Sequence, residues 1–514
     1  MPNLQQNVKR AARGQALVLA SLSLFLLSLM VVLSFNLSHA LRMKTRLQQH
    51  SDAVAYSMAV LQARTLNYYA MSNRAIASTF VAMNTVHAYM SAASSTGDMM
   101  RAAQTDFYEV MGLEFAQCSP CPWPPSACLH CLHGLQALRI ATKFGREGRN
   151  YDNKVKNTEN TFNKAVKSLD VMMNTIHASQ KLVGTELINA LRDGNSSGLD
   201  QLRQINAPEA STVNSAVGGM NVAEFSCAID GMVCALPGRP SNASNSTRGI
   251  EITEVANASR PDWTANRSYP LEWLNPQFSQ DLMHNIQGEG ATMIVSHSGS
   301  AKTVNSRGNG AFHNANAGND GSMSGSHEHG DTFSFWKHGI GVATYSSEIE
   351  SDANGGHHSP SGAHSGNHNG FGGANTKNLL ACTMQGDCFM KFRADPDQKH
   401  DFGQPHVYSY ITMPLRADAV TKAPWQLNTS ATVKWDNGGT GTATINLAAN
   451  EGAGLSKALV YYHRLGAWKE DPNMFNPFWR AKLHPFTAQE AAEVLTAAGQ
   501  TDAAQMAAVP NLPL

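Results

Sequence analysis

The sequence has few charged residues and no excess of either sign. Charged residues make up 15% of the 514 residues, and 39 Lys and Arg balance 39 Asp and Glu. A chain with no net charge has no general electrostatic attraction for nucleic acid, and it could bind an anionic membrane only through local basic clusters. We therefore expect no nucleic-acid partner.

Two common catalytic signatures are also missing. The sequence contains no Walker phosphate-binding loop and no H-E-x-x-H zinc motif. Nothing in it points to a nucleotide site or to an arranged catalytic triad. We expect a protein that is not an enzyme and that carries no cofactor.

A long apolar run follows a short basic start. No Asp, Glu, Lys or Arg occurs from residue 14 to residue 41, and roughly 20 apolar residues cross the ~30 Å hydrocarbon layer as a helix. Lys9, Arg10 and Arg13 precede the run, so the positive-inside bias leaves residues 1–13 in the cytoplasm. We expect a single-pass inner-membrane protein with its transmembrane helix at 14–41 and its bulk in the periplasm.

A cleaved signal peptide is the alternative to this anchor. Ser38 and Ala40 put small residues at the two positions that a signal peptidase reads, and the mature chain would then begin at Leu41. The apolar core is longer than the usual ~7–15 residues of a signal peptide, which favours the anchor. Both interpretations place the rest of the chain outside the cytoplasm.

Two stretches with helical periodicity follow the span. Apolar residues recur at steps of three and four from Val54 to Met90 and again from Phe162 to Leu191. Two long amphipathic helices in one exported region would bury their apolar stripes against each other as an antiparallel, coiled-coil-like hairpin. The sequence therefore predicts a helical stalk over 42–205.

Local breaks and a separate tip are predicted within this stalk. Ser-Thr-Gly-Asp at 95–98 and Gly-Arg-Glu-Gly at 145–148 carry residues that weaken helices, at comparable distances from the turn. Between them lies a segment rich in Cys and Pro at 112–134. We expect a break in each helix and a looped tip.

The N-terminal segment resembles the TadE/TadG-like proteins of the Tad (Flp) pilus-assembly system. The similarity covers about residues 10–65 and consists of an Arg-Gly-Gln-Ala start, one apolar span and the motif RLQQHSDA at 46–53, with Val54 where the family favours Ala. The resemblance implies a bitopic envelope protein with an assembly role. The fifth residue after Gly14 is Leu19 rather than Glu, which argues against prepilin-type processing.

The distal half alternates short apolar and polar runs, which is typical of antiparallel strands. Overall we expect an α+β chain with a mainly antiparallel β domain over 206–475, followed by an aromatic and Pro-rich segment with a terminal helix over 476–514. Asn-Gly-Gly at 437–439 predicts a hairpin, and Thr487 to Glu490 predicts a capping box. The runs 304–330 and 352–376, rich in Gly, Asn, Ser and His, are predicted to be low-complexity inserts.

Eight cysteines occur in three clusters. An even number of closely spaced cysteines in an exported chain favours disulfides. The first cluster has the spacing C-x2-C-x6-C-x2-C with His130 and His133 beside it, so a structural metal is the alternative there. The pairing within that cluster is left open. The disulfide candidates are Cys118, Cys121, Cys128, Cys131, Cys227, Cys234, Cys382 and Cys388.

A weak metal signal lies in the His-rich insert. His327, His329 and Asp331 form an H-x-H-x-D string, and alternate residues of an extended chain point the same way. The segment is so rich in His and Gly that a chance match is easy. These three residues are the only metal-ligand candidates that the sequence singles out outside the Cys cluster.

The sequence as a whole predicts a structural protein of the Tad (Flp) pilus or of a related secretion apparatus. Its expected partners are the inner membrane and other assembly proteins, and homo-oligomerisation is left open. Two alternatives remain: an exported metal-binding hydrolase that uses the His-rich segment, and a surface or adhesion protein unconnected to pili.

Overall fold

The structure is a computed structural model of the 514-residue chain. It describes residues 3–119, 125–193, 197–243, 245–268, 291–305, 322–336, 339–350, 357–358, 366–367, 388–414, 431–436, 442–447, 451–464 and 470–508.

The described helices are dominated by two long ones. These are α1 (Asn3–Ala116) and α2 (Pro125–Asp193). The shorter helices are α3 (Ser197–Asn206), α4 (Ser215–Ala228), α5 (Asn245–Ala258), α6 (Asp262–Ala265), α7 (Ala488–Ala497) and α8 (Thr501–Ala507).

The described strands form small antiparallel sheets. Six strands pair in the order β2-β3-β4-β5-β6-β7, three in the order β13-β12-β9, and two pairs are β1-β8 and β10-β11. Their bounds are β1 (Ile229–Asp230), β2 (Arg267–Ser268), β3 (Ala291–Asn305), β4 (Ser322–Trp336), β5 (Gly339–Glu350), β6 (His357–His358), β7 (Gly366–Asn367), β8 (Lys391–Phe392), β9 (His406–Pro414), β10 (Ala431–Asp436), β11 (Thr442–Leu447), β12 (Glu451–Tyr462) and β13 (Trp479–Leu483). The chain is thus a mixed, mostly helical protein.

Helix α1 carries the apolar span without interruption. In the part of the chain that the structure describes, it is the one helix long and apolar enough to cross a membrane, with a mean hydropathy of 2.7 over its most apolar window. Leu17, Leu24 and Met30 each expose 70% or more of their surface, whereas Leu47 exposes 1%. The change from exposed to buried apolar residues therefore falls just beyond the predicted span.

The predicted breaks at 95–98 and 145–148 are wrong. Helices α1 and α2 continue through both stretches. A single Gly in a helix costs only about 1 kcal/mol relative to Ala, and a long helix tolerates it. Helix α2 ends at Asp193.

The predicted β-rich region contains more helix than its alternating pattern indicates. Helices α4, α5 and α6 lie within 206–475. Strand β4 begins at Ser322, inside the insert expected at 304–330, so a strand occupies residues predicted to be a loop. In the second insert, 352–376, only the two-residue strands β6 and β7 are described.

The chain divides into two compact units. Unit 1 comprises Met1–Tyr68, Leu182–Asn242 and Phe392–Leu514, and unit 2 comprises Tyr69–Lys181 and Ala243–Lys391. Each long helix contributes residues to both units.

Unit 1 is built on the three-stranded sheet, and one margin of this sheet is covered by the segment that leads into α4. The Asn221 side chain donates to the Tyr408 carbonyl at 2.9 Å and accepts from the Tyr408 amide at 2.7 Å. Ser211 pairs in the same way with Thr412, through its backbone amide at 2.7 Å and its hydroxyl at 3.0 Å. The main-chain groups of Tyr408 and Thr412 on the outer side of β9 are therefore satisfied within the unit.

The opposite margin of the sheet, at β13, is covered by α1. Asn67 donates from Nδ2 to the Trp479 carbonyl at 3.0 Å and accepts from the Trp479 amide at 2.9 Å. The Asn67 side-chain amide thus occupies the position that a further strand would take beside Trp479 of β13. Such coverage is one way in which proteins protect sheet edges against unwanted pairing.

Unit 2 combines the middle parts of the long helices with the six-stranded sheet, against which α5 and α6 pack at β3. Gln180 of α2 donates to Ser72 Oγ at 2.6 Å and to Asn73 Oδ1 at 2.8 Å, both on α1. Asn73 in turn donates to the Met390 carbonyl at 2.6 Å. Buried amides therefore fix the register of the two helices at this level.

The carboxyl of Asp106 in unit 2 lies in surroundings that disfavour its ionised form. Asp106 Oδ2 on α1 is buried and accepts no hydrogen bond from the residues that the structure describes. Burial, together with the charge of Glu109 three residues on, raises the pKa of Asp106 to about 7. A carboxyl whose pKa is raised on folding makes the fold less stable as pH rises between its unfolded and folded pKa values.

We expect the Asp106→Asn variant to become more stable than the natural chain as pH rises from about 4 to about 7. Below that window both states of Asp106 are protonated, and the two proteins should unfold at similar denaturant concentrations. Urea unfolding at pH 3 and pH 8 measures the difference. Glu109→Gln, at an exposed position, is the control and should show the smaller change; an equal effect of Asp106→Asn at both pH values would contradict the assignment.

Candidate functional site

The motif at 46–53 lies where α1 meets the sheet of unit 1. Gln48 donates from Nε2 to the Leu455 carbonyl at 2.9 Å and to Ser456 Oγ at 3.0 Å, both on β12. Asp52 accepts from Ser456 Oγ at 2.5 Å and from Gln48 at 2.9 Å. Ser51 is fully buried, with its hydroxyl 3.3 Å from that of Ser409 on β9. We call this contact the helix–sheet joint.

The absence of a side chain at one position of β12 lets the two elements approach closely. A Cβ added to Gly454 would lie 3.1 Å from the Leu47 carbonyl oxygen and 3.1 Å from Ser51 Cβ. The neighbouring Ala453 is exposed. The polar residues of the motif therefore explain its pattern: Gln48, Ser51 and Asp52 bind the sheet, while Leu47 fills the space above Gly454.

Gly454→Ala is expected to destabilise unit 1 by about 1 kcal/mol, because the added methyl group forces α1 and β12 apart. The measurement is the midpoint of urea unfolding of the detergent-solubilised chain. Ala453→Val on the exposed side of the same strand is the matched control, and it should not lose stability because β-branched residues suit strands. Equal midpoints for Gly454→Ala and the natural chain would show that the joint is loosely packed.

An open cavity of about 540 Å³ lies beside the joint. Its lining includes Gln48 and Asp52 from α1, Lys457 from β12, and His484 and Phe486 after β13. Lys457 is nearly buried and pairs with Glu490 of α7 at 2.6 Å. Glu490 is fixed by the predicted capping box with Thr487, which is confirmed.

A buried chain of charges starts at α4 and runs towards the turn before β9. Glu224 accepts from Arg239 Nη2 at 3.2 Å, and Arg239 Nη1 lies 3.4 Å from Asp395 Oδ2. Asp395 also contacts His400 Nδ1 at 2.8 Å. The side chains of Glu224, Arg239 and Asp395 are each less than 10% exposed. Buried charges of this kind are stable only when each has a partner.

His406 lies at the centre of a second group of charges. Its Nε2 is 2.6 Å from Asp401 Oδ2, and its Nδ1 is 3.7 Å from Glu224 Oε2. His484 Nε2 is 3.7 Å from the same Asp401 oxygen. The rings of His406 and His484 are nearly parallel, with centroids 6.2 Å apart. One carboxylate oxygen therefore faces two imidazoles.

Contacts between carboxylates and histidines shift the pKa values in this second group of charges. Burial by itself lowers the pKa of His406, but the hydrogen bond to Asp401 and the charge of Glu224 raise this pKa above its usual value. Burial opposes ionisation of Asp401 and Glu224, yet contact with His406 holds the pKa of both carboxyls below its usual value. Burial lowers the pKa of His484, with the charge of Lys457 adding to the effect. The two carboxylates thus favour the protonated form of His406, and His484 is less basic than a free histidine.

The turn that presents Asp401 has an uncommon backbone. Asp401 and Phe402 have φ values of 47° and 58°, and Gly403 follows at 85°. A Cβ at Gly403 would lie 2.7 Å from the Arg393 carbonyl oxygen, so the turn is also tightly packed. Non-glycine residues in this region are strained by about 1–3 kcal/mol each, and such residues concentrate at functional sites.

The cysteines are placed as disulfides where the structure describes them. Cys118 is bonded to Cys131, with 4.8 Å between Cα atoms, and Cys227 to Cys234, with 4.4 Å. Cys388 is also disulfide-bonded. Cys121 and Cys382, and the side chain of Cys128, lie outside the described part of the chain. Cys118 and Cys131 are joined to each other and do not act as zinc ligands here.

The predicted metal-ligand string lies on β4. His327, His329 and Asp331 pair with Ser300, Ser298 and Ser296 of β3. The side chains of this strand lie outside the described part of the structure. The string is therefore placed on a strand, and it stays a prediction as a metal site.

Among the described residues, two clusters of metal-ligand side chains come together that the sequence analysis did not assemble as sets. One is Asp401, His406 and His484, and the other is Glu114, His130 and His133 beside the Cys118–Cys131 disulfide. His484 lies far along the chain from Asp401 and His406, so no local spacing pattern joins them. His130 and His133 are visible in the sequence beside the Cys cluster, but their partner Glu114 comes from the end of another helix.

The chain was compared with protein-family models, with curated proteins and with solved structures, and none matched. The resemblance of residues 10–65 to TadE/TadG-like proteins therefore stays a prediction. The geometry of the described residues carries the functional inference.

Proposed function

We propose that this chain is a membrane-anchored envelope protein with a structural role in assembly of a Tad (Flp) pilus or a related secretion apparatus. The observation that carries the proposal is the helix–sheet joint. Gln48 and Asp52, two residues that carry the resemblance to the TadE/TadG-like motif, attach the helix of the apolar span to the sheet of unit 1, together with the neighbouring Ser51. An anchor that continues as one helix into a folded body suits a protein that holds its body at a membrane.

The change in burial along α1 supports the anchor. The large apolar side chains from Leu17 to Leu41 are exposed, as lipid-facing residues would be, and burial begins at Leu47. Arg46 at the boundary donates from Nε to the Asn206 carbonyl at 2.9 Å. In this arrangement, unit 1 would start directly at the membrane surface, with the short basic N-terminus in the cytoplasm.

The predicted helical hairpin is supported by contacts inside unit 2. Gln180 bonds to Ser72 and Asn73, Phe107 stacks on Phe144 with centroids 5.8 Å apart, and Cys118 is bonded to Cys131. The residue numbers rise along α1 as they fall along α2, as an antiparallel pair requires. A stalk of this kind would present a disulfide-linked tip to a partner.

Deleting the gene and counting surface pili tests the assembly role. We expect loss of pili, or of secretion through the related apparatus, with recovery on expression of the natural chain. Expression of the Ala453→Val variant should restore assembly as well, because that residue is exposed. Normal pili and normal secretion in the deletion strain would overturn the proposal in favour of a pilus-independent surface protein.

Oxidation of the cysteines tests the extracytoplasmic placement. In the periplasm, the disulfides of Cys118 with Cys131 and of Cys227 with Cys234 persist, because that compartment is kept oxidising. We expect these four cysteines to resist alkylation in chain taken from membranes and denatured without reductant, and to react fully after reduction. The control is the chain lacking residues 1–41, which should stay in the cytoplasm with reactive thiols. Reactive thiols in the membrane-bound chain would place its bulk inside the cell.

A further inference from the structure

Asp401, His406 and His484 have the composition of a transition-metal site. One ring nitrogen of His406, one of His484 and an Asp401 carboxylate oxygen all lie within 4.8 Å of one another. Neutral imidazole and carboxylate are the usual ligands of zinc in sites with three protein ligands. All three groups belong to unit 1.

The distances between the ligand atoms suit a small tetrahedral ion. Metal–ligand bonds of about 2.0–2.1 Å place neighbouring ligands of a tetrahedron about 3.3 Å apart. The two imidazole nitrogens lie 2.6 and 3.7 Å from Asp401 Oδ2, on either side of that value. Changes of under 1 Å would bring each of these two distances to that value. His406 is fixed by burial, whereas His484 is one-quarter exposed and has room to adjust.

The surroundings of His406 match those of a metal-bound histidine. Metal-bound histidines usually direct their second ring nitrogen to a carboxylate, which orients the ring and strengthens it as a ligand. Here Nδ1 faces Glu224 at 3.7 Å, and Arg239 fixes Glu224 from the other side at 3.2 Å. The one cation facing the cluster from β12, Lys457, is paired with Glu490 at 2.6 Å.

The strained turn is an independent observation that points to the same place. An ion pair between Asp401 and His406 alone could be formed from an ordinary loop. The structure instead holds Asp401 and Phe402 in left-handed conformations, with Gln404 Nε2 donating to the Asp401 carbonyl at 2.8 Å. Strain that is retained by the surrounding packing is characteristic of ligand sites.

We propose that Asp401, His406 and His484 bind one divalent transition-metal ion of the zinc class. Binding replaces the proton on His406 Nε2, which leaves to solvent, so the ion takes over the role of the positive charge between the carboxylates. The ion would tie the turn before β9 to the segment after β13. This inference does not depend on the proposed role in pilus assembly.

The test is metal binding by the full-length chain in detergent. The protein is stripped with chelator and dialysed against Zn²⁺ in the presence of a competing chelator, and bound zinc is measured per chain by elemental analysis. We expect one tightly bound zinc ion per chain, the tight equivalent. Its binding affinity should fall at least tenfold in His484→Gln. His484 is partly exposed, so this variant should fold; Asp401→Asn and His406→Gln should behave alike if they fold.

Two double variants serve as matched controls because the chain holds other histidines. His130→Gln with His133→Gln removes the cluster near the tip disulfide, and His327→Gln with His329→Gln removes the string on β4. We expect both to keep the tight equivalent. Its loss in either control but not in His484→Gln, or the lack of any tight equivalent in the natural chain, would overturn the proposal.

A second readout separates a metal site from an ion pair. Because a histidine must lose its proton to bind the ion, zinc affinity should rise with pH from about 6 to about 8. Zinc should also raise the thermal unfolding temperature of the natural chain, with no such shift in His484→Gln. Equal shifts in the two proteins would show that zinc acts elsewhere.

Discussion

Replacing Gly218 by Ala is expected to destabilise unit 1 by about 3 kcal/mol, since forced overlap in a packed interior is strongly unfavourable. Gly218 lies in α4, where the helix passes the end of α2. A Cβ at this position would overlap the Arg192 carbonyl oxygen and would lie 2.6 Å from the carbonyl carbon. Both atoms belong to the backbone, so no flexible side chain can move aside. Either α4 or the last turn of α2 must shift.

The next residue provides a matched control. Gly219 is exposed in the same helix, and nothing lies within 4 Å of a Cβ added there. Gly219→Ala should therefore leave stability unchanged or raise it by up to about 1 kcal/mol, because Ala is the better helix former. Urea unfolding of both variants measures the contrast. If both variants have the same midpoint, α4 does not approach α2 as closely as described.

Replacing Arg393 by Met is expected to destabilise unit 1 by about 4 kcal/mol. Arg393 is 5% exposed, and its guanidinium donates to the carbonyls of Cys227 and Ile229 at 3.0 Å each and to that of Met232 at 2.7 Å. It also donates to the side chain of Asn242. Met fills a similar volume but donates to none of these acceptors. The Ile229 carbonyl keeps a hydrogen bond from the Met232 amide at 3.2 Å, whereas each buried acceptor left without a donor costs about 1–3 kcal/mol before local relaxation.

The controls for Arg393→Met separate its hydrogen bonds from its charge. Arg480 is exposed on β13, and Arg480→Met should change stability by less than about 0.5 kcal/mol. Arg393→Lys keeps the charge but cannot span several carbonyls with one ammonium, so it should recover only part of the loss. Urea unfolding compares the three variants. A loss of under 1 kcal/mol in Arg393→Met would show that water replaces the guanidinium at little cost.

The long helix and several local features could be predicted because their signals are short-range. No Gly or Pro occurs between Phe35 and Ser95, which predicts a continuous helix over that part of α1, and Thr487 with Glu490 predicts the start of α7. Asn-Gly-Gly at 437–439 predicts a hairpin, and β10 and β11 do pair across it, from Asp436 with Thr442 to Ala431 with Leu447.

Helix α4 could not be predicted because packing rather than propensity forms it. It contains Gly218 and Gly219 side by side, which weakens any local helical signal. What stabilises it is long-range: Asn221 pairs with Tyr408, and Asn214 caps the first turn through Ala216 and Val217. Gly145 led to the opposite error: the sequence predicted a helix break there, but α2 is continuous. A Cβ there would meet the Gln104 side chain, so this glycine serves close packing of α1 and α2 rather than a break.

The candidate metal site escaped sequence reasoning for a related reason. The H-x-H-x-D string at 327–331 draws notice because its members are adjacent, whereas His484 reaches Asp401 only through the folding of β13 beside β12. A lone histidine after a strand has no pattern to distinguish it. The motif at 46–53 could be recognised, but its binding to Ser456 and Ser409 required the sheet to be in place.

The amides at the two margins of the three-stranded sheet limit how copies of this chain could join. A fibre that grows by continuing one sheet from molecule to molecule needs bare main-chain donors and acceptors at each border. At this sheet, Asn67 occupies those of Trp479, and Asn221 and Ser211 occupy those of β9. Pairing of a strand from another copy at Trp479, Tyr408 or Thr412 would first require these hydrogen bonds to break, so this sheet resists extension at those residues.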